Sequence, residues 1–242
     1  SFENYFFTPY NLKFYDTRIP YADILYVFGT KQQQYFKMAF SYNIKKNWNV
    51  TVNFSRIKSK GFYPNLVPDN TFFAVSSNYK TLDNRYMLLA SVCFNTIKNT
   101  ENGGVLNDSM LFSGYILNAN YGLKNAKNYR HNRNAFVKQY FNLGARENDS
   151  LSVVPECLFK IKEFGFILTS EFDEMIQKYE DSDTRLPFYP EIYYDSTKTV
   201  DSSHVYKLSN ELAWKRVDNK KHRGIIDMIG VGARVQHQLI EI

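Results

Sequence analysis

The sequence predicts an all-β protein, an antiparallel transmembrane β-barrel of the outer-membrane type, with about ten or eleven strands in its 242 residues. Three observations carry this. Segment after segment alternates apolar with polar residues at period two, the mark of strands with two unlike faces. Those segments run to roughly nine to eleven residues, which suits a tilted membrane crossing better than the ~5–6 residues common in soluble sheets. Tyr and Trp gather towards segment ends, at Tyr21, Tyr42, Trp48, Tyr79, Tyr86, Tyr206 and Trp214, as interfacial girdles do. The whole of 1–242 reads as a single barrel domain, itself part of a larger barrel.

The totals agree. Tyr and Phe are abundant (19 and 20), while 7 Pro and 11 Gly supply fewer turn residues than a compact sandwich needs. No apolar run approaches the ~18–20 residues of a spanning helix. A mean hydropathy of −0.43 does not argue against a barrel, whose strands hide their hydrophobicity in alternation. The net charge of +6 is scattered along the chain beside no nucleic-acid motif, so no nucleic-acid partner is expected. Cys93 and Cys157 make neither a disulfide framework nor a metal knuckle. They read as buried or lipid-side thiols, with one oxidised pair left open. Ser1 opens no basic-apolar signal segment, so that segment has been removed or the chain is an interior piece.

Taken in order, Ser1 to Thr30 reads as one aromatic-rich strand, ending in Tyr21 to Gly29 and closed by a glycine turn. The clearest hairpin follows. Phe36, Met38, Phe40, Tyr42 and Ile44 alternate with Tyr35, Lys37, Ala39, Ser41 and Asn43, and Lys45-Lys46 makes a polar break. In the return strand Trp48, Val50, Val52 and Phe54 lie opposite Asn49, Thr51, Asn53 and Ser55. After a connection with Gly61, Pro64 and Pro68, Thr71–Lys80 and Arg85–Thr96 form a second hairpin around Thr81 to Asn84. Leu88 and Val92 share one face of it. The other face, with Met87, Leu89 and Cys93, is less polar than a barrel interior should be.

Glu101 to Gly104 is a turn, and Tyr115 to Tyr121 alternate again. Ala135 to Leu143 sets Val137, Phe141 and Leu143 against Lys138, Tyr140 and Asn142. Cys157, Phe159 and Ile161 oppose Leu158, Lys160 and Lys162, and Phe164, Phe166 and Leu168 continue that pattern. The acidic run Glu171 to Asp183 opens a long loop over about 171–203, with room for a short helix at Phe172 to Tyr179. It lacks the calcium-loop spacing, so a solvated loop is the reading. Two strands close the chain. Leu208, Leu212 and Trp214 face away from Lys207, Glu211 and Lys215, and Val231 and Val235 face away from Arg234.

Charge follows parity. Lys37, Lys138, Lys160, Lys162, Lys207, Lys215, Arg234 and Glu211 all take the position opposite the apolar face of their strand. A cation facing the bilayer midplane costs about 2–4 kcal/mol, so these residues, with Asn49, Thr51 and Asn53, are expected to face a lumen. Phe40, Trp48, Val50, Val52, Phe54, Leu88, Val92, Leu212, Trp214, Val231 and Val235 are expected to face lipid. The excess of basic residues on the lumen side suggests a lean towards anions. Arg56 and Asp227 break the rule; Arg56 lies near a strand end, where a long side chain can reach the interface. Parity alone would equally fit a soluble β-rich binding module, and strand length and aromatic placement favour the barrel.

No catalytic set emerges. His131, His204, His222 and His237 stand apart without zinc spacing, and no nucleophile elbow, phosphate loop or dinucleotide fingerprint is present. Glu163, Glu171 and Glu191 could pair as acids only by chance of folding. The expectation is no enzyme, no cofactor and no metal.

Several stretches resemble the putative porin family of the Bacteroidota. They include Tyr21-Ala-Asp-Ile-Leu-Tyr26, Phe40-Ser-Tyr-Asn-Ile44, Arg56 to Tyr63, Asn78-Tyr-Lys80 with Asn84-Arg-Tyr86, and Glu101 to Gly104. Gln139 to Gly144, Phe188-Tyr189 with Asp195 to Ser202, and Leu208-Ser-Asn210 follow in family order. The resemblance implies an outer-membrane barrel of a Gram-negative bacterium, set in outer-membrane lipid and passing small hydrophilic solutes by diffusion. An alternative keeps the barrel as a subunit or scaffold of a secretion, assembly or uptake complex, with other envelope proteins as partners. Family members are longer than this chain, and no catalytic residues carry over.

Overall fold

A computed structural model describes residues 5–61, 63–106, 120–143, 164–183, 189, 198–217 and 228–241. Nine strands form one antiparallel sheet in chain order. They are β1 (Tyr21–Phe28), β2 (Gln34–Lys45), β3 (Trp48–Lys58), β4 (Asp69–Lys80), β5 (Tyr86–Glu101), β6 (Ala126–Asn142), β7 (Phe164–Asp181), β8 (Thr199–Val217) and β9 (Met228–Glu241). Each pairs only with its neighbours in sequence, so the sheet is a meander with β1 and β9 at its edges, and it is not closed among the described residues. No helix among those residues is long and apolar enough to cross a membrane.

Three expectations change. Nine strands stand among the described residues, and the expected strands around Tyr115 and Cys157 to Lys162 lie outside them, as does Asp227, so the count of about ten or eleven is not tested. β5 to β8 hold 16, 17, 18 and 19 residues, well beyond a minimal crossing. Both ends of the loop expected over 171–203 are strand: β7 runs straight through the acidic residues to Asp181, no helix forms at 172–179, and β8 begins at Thr199. Glu171 and Asp173 alternate with Phe172 at strand period, and β6 and β8 supply backbone partners on both sides. Finally, only Tyr21–Phe28 of the first thirty residues is strand, while residues 6–12 lie against one face of the sheet.

The turns explain the register. Beyond β1, Gly29 N–H donates to the Gln33 carbonyl at 2.8 Å across a short 3-10 turn, Thr30–Gln32. Asn47, in the two-residue link between β2 and β3, accepts the Lys80 N–H of β4 on its carbonyl, and its Nδ2 donates to the Lys80 carbonyl, both at 2.9 Å. Between β4 and β5, Thr81 and Tyr86 bond reciprocally, and Asn84 takes φ +57°, a left-handed position that asparagine tolerates. Gly61, at φ +73°, sits where a Cβ would come 1.8 Å from the Leu66 carbonyl oxygen. Only glycine fits there.

Directly opposed residues share a face, so the register sorts the whole sheet. One rung runs Ser41, Thr51, Ser76, Ser91, Phe136, Glu171, Ser209 and Gln236 from β2 to β9. The adjacent rung, one residue along, runs Phe40, Val52, Val75, Val92, Ala135, Phe172, Leu208 and His237 on the opposite face. Ser41 and Thr51 are 0% and 1% exposed, whereas Phe40 and Val92 are 44% and 42% exposed. This inverts a soluble sheet. Polar side chains are buried on the face that residues 6–12 cover, and hydrocarbon is presented on the other.

Candidate functional site

The site is the covered face. Lys37, Asn49, Thr51 and Asn53 stand on it from β2 and β3, Lys138 from β6, Lys207 and Glu211 from β8, and Arg234 from β9. Lys215 occupies the register position between Gly165 and Gly230, and Lys160 and Lys162 lie outside the described residues. On the exposed face the same register places Phe40, Trp48, Val50, Val52 and Phe54, then Leu88 and Val92, Leu212 and Trp214, and Val231 and Val235. Val231 and Leu212 are 67% and 54% exposed. Trp48 turns its indole N–H to Ser77 Oγ at 2.9 Å, which satisfies the polar edge of an otherwise apolar face.

The polar side is built as networks. On β2 and β3, Asn49 Nδ2 donates to Ser41 Oγ and to Asn43 Oδ1, while Thr51 Oγ1 donates to Ser41 Oγ and Asn49 Oδ1 at 3.0 Å each. On β6 and β7, Asn134 Nδ2 donates to Glu171 Oε1 at 3.0 Å and to Asp173 Oδ1 at 2.5 Å. Asp173 stands opposite Lys207, and Glu211 opposite Arg234. Asp23 of β1 joins the same face opposite Ala39.

Glu171 and Asp173 were not legible as residues of this face, because 171–183 read as a loop. Their signal was the strand-period spacing of Glu171, Phe172 and Asp173, hidden by the acidity around it. The balance of charge changes with them. Among the described residues, the basic side chains of the covered face share it with carboxylates of β1, β7 and β8, and Lys160 and Lys162 lie outside those residues.

The two exceptions to parity divide. Arg56, on the exposed face at the end of β3, forms a two-point ion pair with Asp69: Nε to Oδ1 at 3.1 Å and Nη2 to Oδ2 at 2.9 Å. Lys58 stands 3.7 Å from the same carboxylate. Arg133, also on the exposed face, pairs with Glu174 at 3.1 Å. The Arg56–Asp69 pair lies at the β3–β4 end of the sheet, whereas Arg133 stands opposite Phe94 in the rung that carries Phe54 and Phe73. Asp227 lies outside the described residues.

The N-terminal segment was missed altogether. Phe6 packs on Phe72 and Ile97, and Leu12 on Ala74 and the free thiol of Cys93. Asn95 of β5 clamps the Phe7 peptide, accepting its N–H on Oδ1 and donating Nδ2 to its carbonyl, both at 2.9 Å. Tyr10 stacks edge-on against Phe136 and donates its hydroxyl to Glu171 Oε2 at 2.8 Å. Burial, the Glu171 hydrogen bond and the Glu171 charge push the Tyr10 phenol up to about 12. The weak polarity of Met87, Leu89 and Cys93 was the clue. That stretch of β5 is apolar because a peptide lies on it. Cys157, the other cysteine, lies outside the described residues.

Among the described residues no group of His, Cys, Asp and Glu could hold a metal. What the geometry defines is an antiparallel meander-sheet protein with one face rich in polar side chains and covered by residues 6–12, and the other carrying exposed hydrocarbon. The chain belongs to the family described as Putative porin, which matches residues 1–230. No curated protein and no solved structure matches it.

Proposed function

We propose that this chain forms wall strands of a non-enzymatic outer-membrane channel through which small hydrophilic solutes diffuse. The observation that carries the reading is the pair of adjacent rungs, serine, threonine and carboxylate buried on one side and Phe, Val and Leu bare on the other. In water this arrangement would expose hydrocarbon and bury polar groups, losing on both counts. In a bilayer both terms reverse. The exposed face then meets outer-membrane lipid, and the covered face lines the polar path. Closure follows from the same physics, since an open strand edge in hydrocarbon leaves backbone groups unpaired at several kcal/mol each. Further strands therefore join β1 and β9.

On β6, Arg133 and Phe141 bracket the exposed apolar stretch. They are about 27 Å apart along the strand and about 21 Å along the membrane normal at a ~40° tilt, close to the ~25 Å band of outer-membrane barrels. Membrane-extracted protein reconstituted in planar bilayers gives stepwise ohmic conductance, and liposomes containing it swell in small sugars. Extraction into buffer without detergent, with no conductance, would overturn the reading.

A further inference from the structure

We propose that residues 5–16 are an internal strap that lies along the wall of the solute path and narrows it, an inference that rests on the channel reading above. The strap belongs to no sheet ladder. Its backbone is held by side chains: Asn95 at Phe7, and Asn11, which donates to the Phe6 carbonyl and accepts the Thr8 N–H at 2.8 Å. Thr8 in turn accepts the N–H groups of Asn11 and Leu12, folding the segment into a compact turn.

The course of the strap follows from its contacts. Phe6 reaches Phe72, near the start of β4, and Leu12 reaches Ala74. Asp16 lines a 180 Å³ cavity with Asn47, Asn78 and Lys80 at the opposite end of β4. The segment thus runs lengthwise over β4 to β7, on the side that carries the charged rungs.

Two features make it a removable occupant and not simply core. First, its footing mixes phenylalanine with asparagine and glutamate, so Asn95, Glu171 and Asn134 remain a polar wall when it leaves. Second, the same face carries buried polar atoms without protein partners, among them Asn134 Oδ1, Ser76 Oγ and Ser91 Oγ. Such atoms are costly while dry, so hydration of this face favours release of the strap. Cys93, packed beneath Leu12, is a built-in reporter.

The test compares membrane-extracted Cys157→Ser protein with the same protein lacking residues 5–16 and, in the full-length chain, with Leu12→Asp. Two quantities are read: the rate at which a charged methanethiosulfonate labels Cys93, and single-channel conductance. The expected result is labelling at least tenfold faster and conductance at least doubled in both altered proteins. Equal labelling in all three overturns the strap, and so does faster labelling with unchanged conductance. Unmasked Cys93 with no conductance from any of the three overturns the channel reading, and the strap's role with it.

Discussion

At the scale of single residues, neighbours on one strand carry opposite demands. Val52 and Thr51 are adjacent on β3, one 1% exposed at Thr51 and the other on the apolar face between Phe40 and Val75. Val52→Arg is expected to cost about 2–4 kcal/mol in urea unfolding from lipid vesicles if it meets the bilayer midplane. Thr51→Arg alters conductance more than it alters stability. Equal costs at the two sites would sink the two-faced reading.

Arg56 belongs to the same comparison. Asp69→Asn leaves its guanidinium unpaired near the band edge, and the expected loss is about 1 kcal/mol or less, because charge near the interface is tolerated. Tyr10 supplies a pH dependence. Its phenol ionises ordinarily near 10 and here near 12, so the docked strap holds the proton more tightly than the free segment. Its contribution is therefore complete below pH 10 and is lost as pH rises towards 12. Ultraviolet titration of the parent protein should show a phenol step near pH 12 that Tyr10→Phe lacks.

At the scale of elements, the turns are more constrained than the strands. Gly61→Ala drives a methyl into the Leu66 carbonyl at a left-handed backbone position. A loss of at least about 1–3 kcal/mol is expected in the urea midpoint. In the β4–β5 turn, the Thr81 hydroxyl and then the Arg85 N–H hold the Asp83 carboxyl below the usual carboxylate range. The anion's hold on the turn is present above that range and fades as pH falls through the lowered value. The Arg85 amide shift reports it.

The elements also divide into those the residues announce and those they do not. β2 and β3 are legible to within a residue or two because alternation is local, and Trp48, Val50, Val52 and Phe54 need no partner to declare a face. β7 is not. Its acids have low strand propensity, and what holds them in register is Asn134 and Ser209 on either side, near only after folding. The strap is illegible for a related reason. Asn95, Phe7 and Glu171 are far apart in sequence, and the one local trace, a β5 face too apolar for its surroundings, names no partner.

At the scale of the whole molecule, electrostatics sets the expected selectivity. Lys37, Lys138, Lys207 and Arg234 share the covered face with Asp23, Glu171, Asp173 and Glu211. A path lined by both signs has no strong net field to exclude either ion. Under a salt gradient the reversal potential should lie near zero, and a steep anion preference would show that charges elsewhere govern the path. The long strands add a second property. A 19-residue β8 rises about 65 Å along its own axis, far more than a tilted crossing uses, so on the channel reading part of it would project beyond the bilayer.

The nearest-neighbour pairing of the nine strands has an evolutionary consequence. Since no strand bonds to one distant in sequence, an antiparallel pair can be gained or lost anywhere in the meander and the remaining registers still match. Barrel diameter grows with strand number. Duplication or deletion of a single hairpin is then a ready route to a wider or narrower relative, with each inherited strand keeping both of its faces.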